Sequence, residues 1–262
     1  MIPKVIHFCW FSGECFPPFI RKCLKTWQEK MPDYELKLWD ANSFDFDSVP
    51  FVAKAYEQKK WAFVTDYVRL YALYTEGGIY MDTDVIVRKT FNEFLKYDFF
   101  SSHEVWPVPR NGRETSFNFF SVQGAIMGGI AGHPYLKECL DKYHELTFDL
   151  TNHSKNDYLI GFIITPIILK YGYKRDDKDQ MLKNNMMLFH SSVFASSTDH
   201  ETEDSYAIHM CNGSWRNSST TFTYKVRNFY PVIYPIWDMA NKRIRKIKRN
   251  VKSMLHFLGI NI

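Results

Sequence analysis

The chain has 262 residues, enough to close one large core and too few for two full independent domains. Hydrophobic residues make up 45% and charged residues 24%, the balance of a globular protein, which excludes a disordered, collagen-like or disulfide-stapled chain. The formal net charge is +4, but seven of the 33 Lys and Arg follow Asp238 and no acid does, so 26 cations face 29 acids before that point and the basic character lies in the tail.

Val5 to Trp10 is a short apolar run of strand formers, and Tyr34 to Trp39 alternates as a half-buried strand does. Between them Phe19, Cys23, Leu24 and Trp27 recur at helical steps until Pro32, giving a strand, helix, strand unit of the kind that builds a parallel sheet. The expected class is therefore α/β. Ala53 to Glu76 reads as one helix stopped by Gly77-Gly78, and Ile79 to Val87 as the strand that follows. Ser101 to Ser121 mixes Pro, Gly, Asn and charges and is expected to be a long functional loop. Gln123 to Ile130 reads as a small strand, Pro134 to Leu146 and Leu159 to Tyr171 as helices, Arg175 to Gln180 as a solvated turn, and Met187 to Phe194 and Tyr206 to Met210 as late strands.

The five cysteines contain no C-x-x-C pair, so neither a disulfide framework nor a zinc ribbon is indicated and a reducing cytosol is the expected compartment. Residues 1–13 lack the basic start, apolar run and cleavage site of a signal peptide, and no apolar run approaches the ~18 residues of a membrane span. Aromatic residues reach 17%, and any exposed rings suit flat ligands such as sugars and bases. Nucleic acid is not an expected partner.

Three Asp-x-Asp triplets occur, and context separates them. Asp45/Asp47 falls in a Phe- and Pro-flanked loop and Asp177/Asp179 in a highly charged turn, where solvation is explanation enough. Asp82/Asp84 ends a helix stop followed by strand formers, and a two-residue period places Tyr80, Asp82 and Asp84 on one face. Two like charges with no Lys or Arg between them call for a divalent cation, and hard oxygen ligands suit Mg²⁺ or Mn²⁺. Asp66 and Arg69, three apart on the preceding helix, share a face; alone, such a spacing is an ordinary intrahelical pair.

HFCWFSG (residues 7–13), LKTWQEKMPDYELKLWD (24–40) and TDYVRLYALYTEGGIYMDTDV (65–85) resemble the blocks of the family 32 glycosyltransferases, which include bacterial capsular polysaccharide transferases and initiating mannosyltransferases; the glucosyltransferase domain of the large clostridial toxins is a related enzyme. HMCNGSW (209–215) resembles the family's later His followed by Ser-Trp. The resemblance implies a GT-A fold, a nucleotide-sugar donor, a divalent metal and retention of anomeric configuration. It implies that Trp10 stacks on the base, with Tyr80 beside the cofactor site, and that Asp66 and Arg69 bind donor sugar hydroxyls and phosphate. It makes Asp82 a contact of ribose, sugar or metal, and Asp84 a metal ligand. His209 or Asn212 completes the metal shell, and Ser214 and Trp215 close over the diphosphate. Thr165-Pro166 stands where many relatives have Gly-Pro, and around Gln123 the expected Asn is not evident.

The expected function is a metal-dependent, retaining transfer of a hexose from a nucleoside diphosphate sugar onto a saccharide, in bacterial surface polysaccharide synthesis. The Trp10 block resembles the toxin type, which points to UDP, while GDP-mannose users share the Asp-x-Asp core. The rivals are an Asp-x-Asp phosphohydrolase, which wants Thr or Val where Ile86 stands and its motif near the start, and an inactive carbohydrate-binding module. Residues 1–240 are expected to form the catalytic domain. Residues 241–262 are expected to form a helix with Ile244, Ile247, Val251, Leu255 and Leu258 on one stripe flanked by seven cations, a pattern of peripheral attachment at the inner face of the cell membrane beside a lipid-linked acceptor. A C-terminal helix docked on the domain needs the same stripe.

Overall fold

The structure, a computed structural model, describes residues 1–106, 119–153, 155–198 and 200–211, together with residue 243. Its first unit follows from the pattern above. Strand β1 (Val5–Cys9) and strand β2 (Glu35–Trp39) run parallel, with Ile6 opposite Leu36, and helix α1 (Pro18–Lys30) makes the crossover. Pro18 opens α1, where a missing N–H costs nothing, and Phe19, Ile20, Cys23 and Trp27 form its buried stripe. Trp27 also donates its indole N–H to the Val85 carbonyl at 2.8 Å, which fixes α1 against the strand that follows the Asp-x-Asp segment.

The expected single helix over Ala53 to Glu76 is two. Helix α2 (Pro50–Glu57) ends where Lys59 turns to a positive φ of 53°, and helix α3 (Trp61–Glu76) starts afresh. Gly77 closes α3 at φ +68°, and Gly78, at φ +118°, begins strand β3 (Gly78–Met81) beside β1. A Cβ on Gly78 would stand 2.7 Å from the Val5 carbonyl oxygen, so glycine is required there by both conformation and space.

The expected strand Ile79 to Val87 is also two. Chain pairing stops at Met81, Asp82 to Asp84 form a turn closed by the Val85 N–H on the Asp82 carbonyl at 3.0 Å, and strand β4 (Val85–Val87) leaves for a second sheet. The remaining strands are β5 (Phe99–Trp106), β6 (Phe119–Val122), β7 (Ile126–Gly129), β8 (Gln180–Leu182), β9 (Met186–Phe189), β10 (Phe194–Ala195) and β11 (Ala207–His209), with helices α4 (Pro134–His144) and α5 (Ile160–Ile168). The first half of the expected loop at Ser101 is thus strand β5, and residues 107–118 lie outside the described residues.

The main sheet has the order β2-β1-β3-β7-β5-β9-β8, with β6 paired to β5; the small sheet has the order β10-β11-β4. β1, β2 and β3 are parallel, whereas β7 runs antiparallel to β3 and β5, so the sheet is mixed. One apolar cluster joins α2 to α5 to one face, and a second packs Trp27, Phe91, Phe94 and Phe194 on the other. This is the expected α/β architecture, a mixed sheet flanked by helices. All five cysteines are free. No helix among the described residues is long and apolar enough to cross a membrane. The expected domain boundary at residue 240 and the helix 241–262 lie outside the described residues, apart from the single residue 243.

Candidate active site

The carboxyl end of β3 delivers the Asp-x-Asp pair. Tyr80 is buried in the strand and donates its hydroxyl to Asp82 Oδ1 at 2.6 Å, while the Asp82 N–H is held by the Ala125 carbonyl at 2.9 Å. The two carboxylates meet the same space because of the turn, not because of strand alternation. Asp84 is buried and Asp82 retains partial exposure.

On α3, Asp66 and Arg69 are both buried and pair at 2.7 Å through Arg69 Nη2. The guanidinium is held at all three nitrogens: Nη1 donates to the Gly124 carbonyl at 2.6 Å, Nε to the Thr65 carbonyl at 3.2 Å, and Nη2 also lies 3.5 Å from Asp82 Oδ1. Its Cζ stands 4.7 Å over the Tyr80 ring, a cation–π contact in a desolvated setting. Burial disfavours the Arg69 charge, but Asp82, Tyr80 and Asp66 hold its pKa above the ordinary value. Burial pushes the Asp66 carboxyl up to about 7 despite Arg69, which pulls it down; the Ile160 N–H at the start of α5 also favours the carboxylate. This pair is therefore more than the exposed i,i+3 pair that spacing alone describes.

The third partner arrives from the small sheet. β4 pairs with β11 antiparallel, Val85 opposite His209, and the Met210 N–H donates to the Asp84 carbonyl at 3.1 Å. His209 Nε2 lies 3.3 Å from Asp84 Oδ1 and 3.7 Å from Asp82 Oδ2. Its other ring nitrogen, Nδ1, lies 3.5 Å from the Cys211 sulfur, which in turn donates to the Ser196 carbonyl. Burial opposes an imidazolium here, but Cys211 and Asp84 outweigh it and hold the His209 pKa well above its ordinary range.

Asp82, Asp84 and His209 each offer one ligand atom, all within 4.8 Å of one another. Neighbouring ligands on an octahedral Mg²⁺ or Mn²⁺ stand about 3 Å apart, given bonds near 2.1 Å, so a small contraction of this triad seats such an ion. Two carboxylate oxygens and one imidazole also suit Mn²⁺ by ligand type. The residues present fit a divalent cation, with coordination positions left over for a ligand.

A fourth carboxyl, unanticipated from sequence, belongs to the same recess. Glu104 on β5 sits opposite Ser121 on β6, whose hydroxyl is 3.5 Å from Glu104 Oε2. Burial pushes Glu104 up to about 7; His209 pulls it down and Asp82 pushes it up. The signal that finds it is a lone acid inside a run of strand formers, Phe99 to Trp106, immediately before the Pro- and Gly-rich stretch.

Trp10 follows β1 at the same, carboxyl end of the parallel strands. Its neighbour Cys9 is buried against Arg69, Asp82 and Tyr80, while the Trp10 indole is partly exposed, donates to the Glu14 carbonyl at 2.6 Å and meets Phe16 edge-on at 5.0 Å. The structure thus gathers Asp66, Arg69, Tyr80, Asp82, Asp84 and His209, with Trp10 at the adjoining strand end. Asn212, Ser214 and Trp215 lie outside the described residues. The other two Asp-x-Asp pairs stay out of the site: Asp45 caps the Asp47 N–H, and Asp177 and Asp179 accept from the Ser191 and His190 N–H groups.

Three groups that could hold a cation, one of them partly exposed and all beside a buried guanidinium, suit an anionic ligand. Residues 17–100 match the family described as "Glycosyltransferase sugar-binding region containing DXD motif", and with the relatives below this makes the chain a glycosyltransferase of DXD type. Inositol phosphoceramide mannosyltransferase 3 of Schizosaccharomyces pombe is 25% identical over 263 residues, 95% of this chain and 68% of that protein. Initiation-specific alpha-1,6-mannosyltransferase of Candida albicans is 27% identical over 184 residues, 58% of this chain and 45% of that one. Among solved structures, PaToxG glycosyltransferase gives a TM-score of 0.46 at 19% identity, covering 64% of this chain and 69% of its own. Galactosyltransferase LgtC with donor and acceptor sugar analogs gives 0.43 at 14%, covering 85% and 93%.

Proposed function

We propose that this chain transfers a hexose from a nucleoside diphosphate sugar to a saccharide hydroxyl, with a divalent cation held by Asp82, Asp84 and His209. The observation that carries the reading is the convergence of that triad with the buried Asp66–Arg69 pair. The cation, when bound, neutralises charge on the departing diphosphate. Arg69 adds a fixed positive charge in a site shielded from water, and its bonds to Gly124, Thr65 and Asp66 leave it nothing to reorganise during the reaction. Asp66, oriented by Arg69 and the start of α5, accepts hydrogen bonds from sugar hydroxyls. The partly exposed Trp10 indole offers a stacking face for the base.

In the retaining route we favour, the anomeric C–O bond breaks with its electron pair going to the leaving phosphate oxygen. The acceptor oxygen bonds to the same face of the anomeric carbon, and its proton passes to that phosphate oxygen. A thermal-shift screen of UDP- and GDP-sugars with Mn²⁺ tests the reading. One donor class raises the melting temperature by mass action and is hydrolysed slowly; no shift and no hydrolysis with any donor overturns it.

The acceptor we infer is lipid-linked, and the work site the inner face of a membrane, in keeping with synthesis of a surface polysaccharide. Two observations support this: the relative named for mannosylating inositol phosphoceramide, and the seven cations with no acid after Asp238. Full-length protein is expected to sediment with anionic vesicles and release in high salt, while a chain ending at Ala240 stays in solution. Equal behaviour of the two overturns the membrane role.

A further inference from the structure

The side chains that wall the site from α3 and β3 leave its far side to β5. On β5, Ser102 points toward the small sheet, since its hydroxyl lies 3.4 Å from the Phe194 carbonyl of β10, and β10 pairs with β11. Two residues along the same strand face, Glu104 therefore comes opposite His209, which ends β11. Independent contacts close the ring. The Ile160 N–H bonds Asp66, the next residue Gly161 is pressed against the Ser121 hydroxyl, where a Cβ would come within 2.9 Å, and Ser121 reaches Glu104. Asp66 and Glu104 thus stand on either side of the start of α5.

Glu104 has more capacity than the fold uses. Among the described residues its side chain meets a single hydrogen-bond donor, Ser121, at the outer limit of 3.5 Å. A carboxyl drawn into a recess and left this poorly paired is costly unless something else donates to it. Asp66, by contrast, already has two donors from the fold, Arg69 and the Ile160 N–H. Glu104 also keeps part of its surface exposed. The groups that shape its field are His209, Asp82 and Arg69, and it acts on Asp66 in turn.

We infer that Glu104 is a ligand of the transferred hexose, accepting hydrogen bonds from its hydroxyls across the recess from Asp66 and Arg69, and so helps set which sugar the enzyme takes. The inference rests on the donor reading above. It assigns Glu104 to the sugar and not to the diphosphate, because a third carboxylate toward the phosphates repels them, whereas hydroxyls donate to carboxylates freely. It assigns it to the donor and not to the acceptor, because the carboxyl shares its neighbourhood with Asp66, Arg69 and Asp82.

The test uses Glu104→Gln, which keeps shape and one acceptor, and Glu104→Ala, each measured against UDP, GDP, UDP-glucose, UDP-galactose and GDP-mannose with Mn²⁺. The expected result is nucleoside diphosphate affinity within about twofold of the parent, tenfold or greater loss in slow hydrolysis of the preferred nucleotide sugar in both variants, and a changed ratio of rates among the sugars. Three results overturn it. Unchanged hydrolysis and preference in both variants removes Glu104 from the sugar. Equal weakening of nucleotide and nucleotide sugar moves it to the cation seat. Intact hydrolysis with loss only of transfer to a saccharide moves it to the acceptor. In all three the parent still hydrolyses a donor; if the parent hydrolyses none, the donor reading fails first and this inference falls with it.

Discussion

At the scale of single residues, the site works by committing its charges before any ligand arrives. Arg69 is tied by Asp66, Gly124 and Thr65, so its position is fixed by the fold, whereas Asp84 has His209 as its charged neighbour at 3.3 Å. Asp84→Asn is therefore expected to leave the circular dichroism spectrum unchanged and to abolish Mn²⁺ binding measured by calorimetry together with sugar transfer; full activity in the variant, or in excess EDTA, contradicts the cation seat. Protonation gives a second expectation. Burial raises Glu104 to about 7 in the folded chain, above its ordinary value, so the folded state holds the proton more tightly than the unfolded state does. Its contribution to stability is complete at acid pH, below the unfolded value, and is lost as pH rises through about 7. Glu104→Gln removes that loss. Urea unfolding in EDTA should show the variant gaining roughly 1–3 kcal/mol on the parent between pH 5 and pH 8. A pH-independent difference contradicts the assignment. Asp66 and Arg69 were legible from their spacing, but the bond to Gly124 joins elements far apart in sequence and no local pattern carries it.

At the scale of elements, two departures from the sequence reading have one cause: backbone geometry overrides side-chain pattern. The apolar stripe from Ala53 to Glu76 continues through Lys59, yet a positive φ there splits it into α2 and α3. Strand formers flank Asp82 to Asp84 on both sides, yet the chain turns there and changes sheets. Periodicity reports which face is apolar, and a single turn residue leaves that signal intact. His7 shows how the turn before β3 is held: burial keeps its pKa low, Nδ1 accepts from the Trp39 indole at 3.1 Å, and Nε2 donates to the Gly77 carbonyl at 2.8 Å. Thr165 shows a departure from the family pattern that turns out to be structural. Its buried hydroxyl oxygen accepts from the Val122 N–H at 3.0 Å, joining α5 to β6. Thr165→Val leaves that N–H unpaired and should cost about 1–3 kcal/mol in chemical denaturation while leaving Mn²⁺ affinity unchanged. No loss of stability means that the Val122 N–H finds another partner.

At the scale of the whole molecule, the proposed cation seat joins two sheets. Asp82 stands at the end of a main-sheet strand, Asp84 at the start of β4, and His209 at the end of β11. An ion there binds the native arrangement and not the unfolded chain, so Mn²⁺ should raise the melting temperature, by the equivalent of about 2.7 kcal/mol at one hundred times its dissociation constant. The same titration with Asp84→Asn should give no shift, and an equal shift in both would place the ion elsewhere. The architecture as a class was legible: the opening strand, helix, strand unit and the glycine stop fall where composition and period put them. The closing of the site was not, because His209 meets Asp84 through β4–β11 pairing, a contact between distant parts of the chain whose strands are only three residues each.

That late pairing also sets an order of events during synthesis. A chain is made from its amino end, and the two aspartates appear with the first half of the protein, well ahead of His209. Among the described residues β4 pairs with β11 alone, so the edge that β11 takes and the pair of carboxylates stay without that partner until almost all of the described chain has left the ribosome. A nascent chain therefore carries a repulsive, two-carboxylate half-seat, and the zipping of β11 onto β4 completes it by bringing His209 down onto Asp84. Competence to take up a cation becomes a signal that the second sheet has closed, and a chain broken off before Ala207 lacks both the third ligand and the strand that holds it.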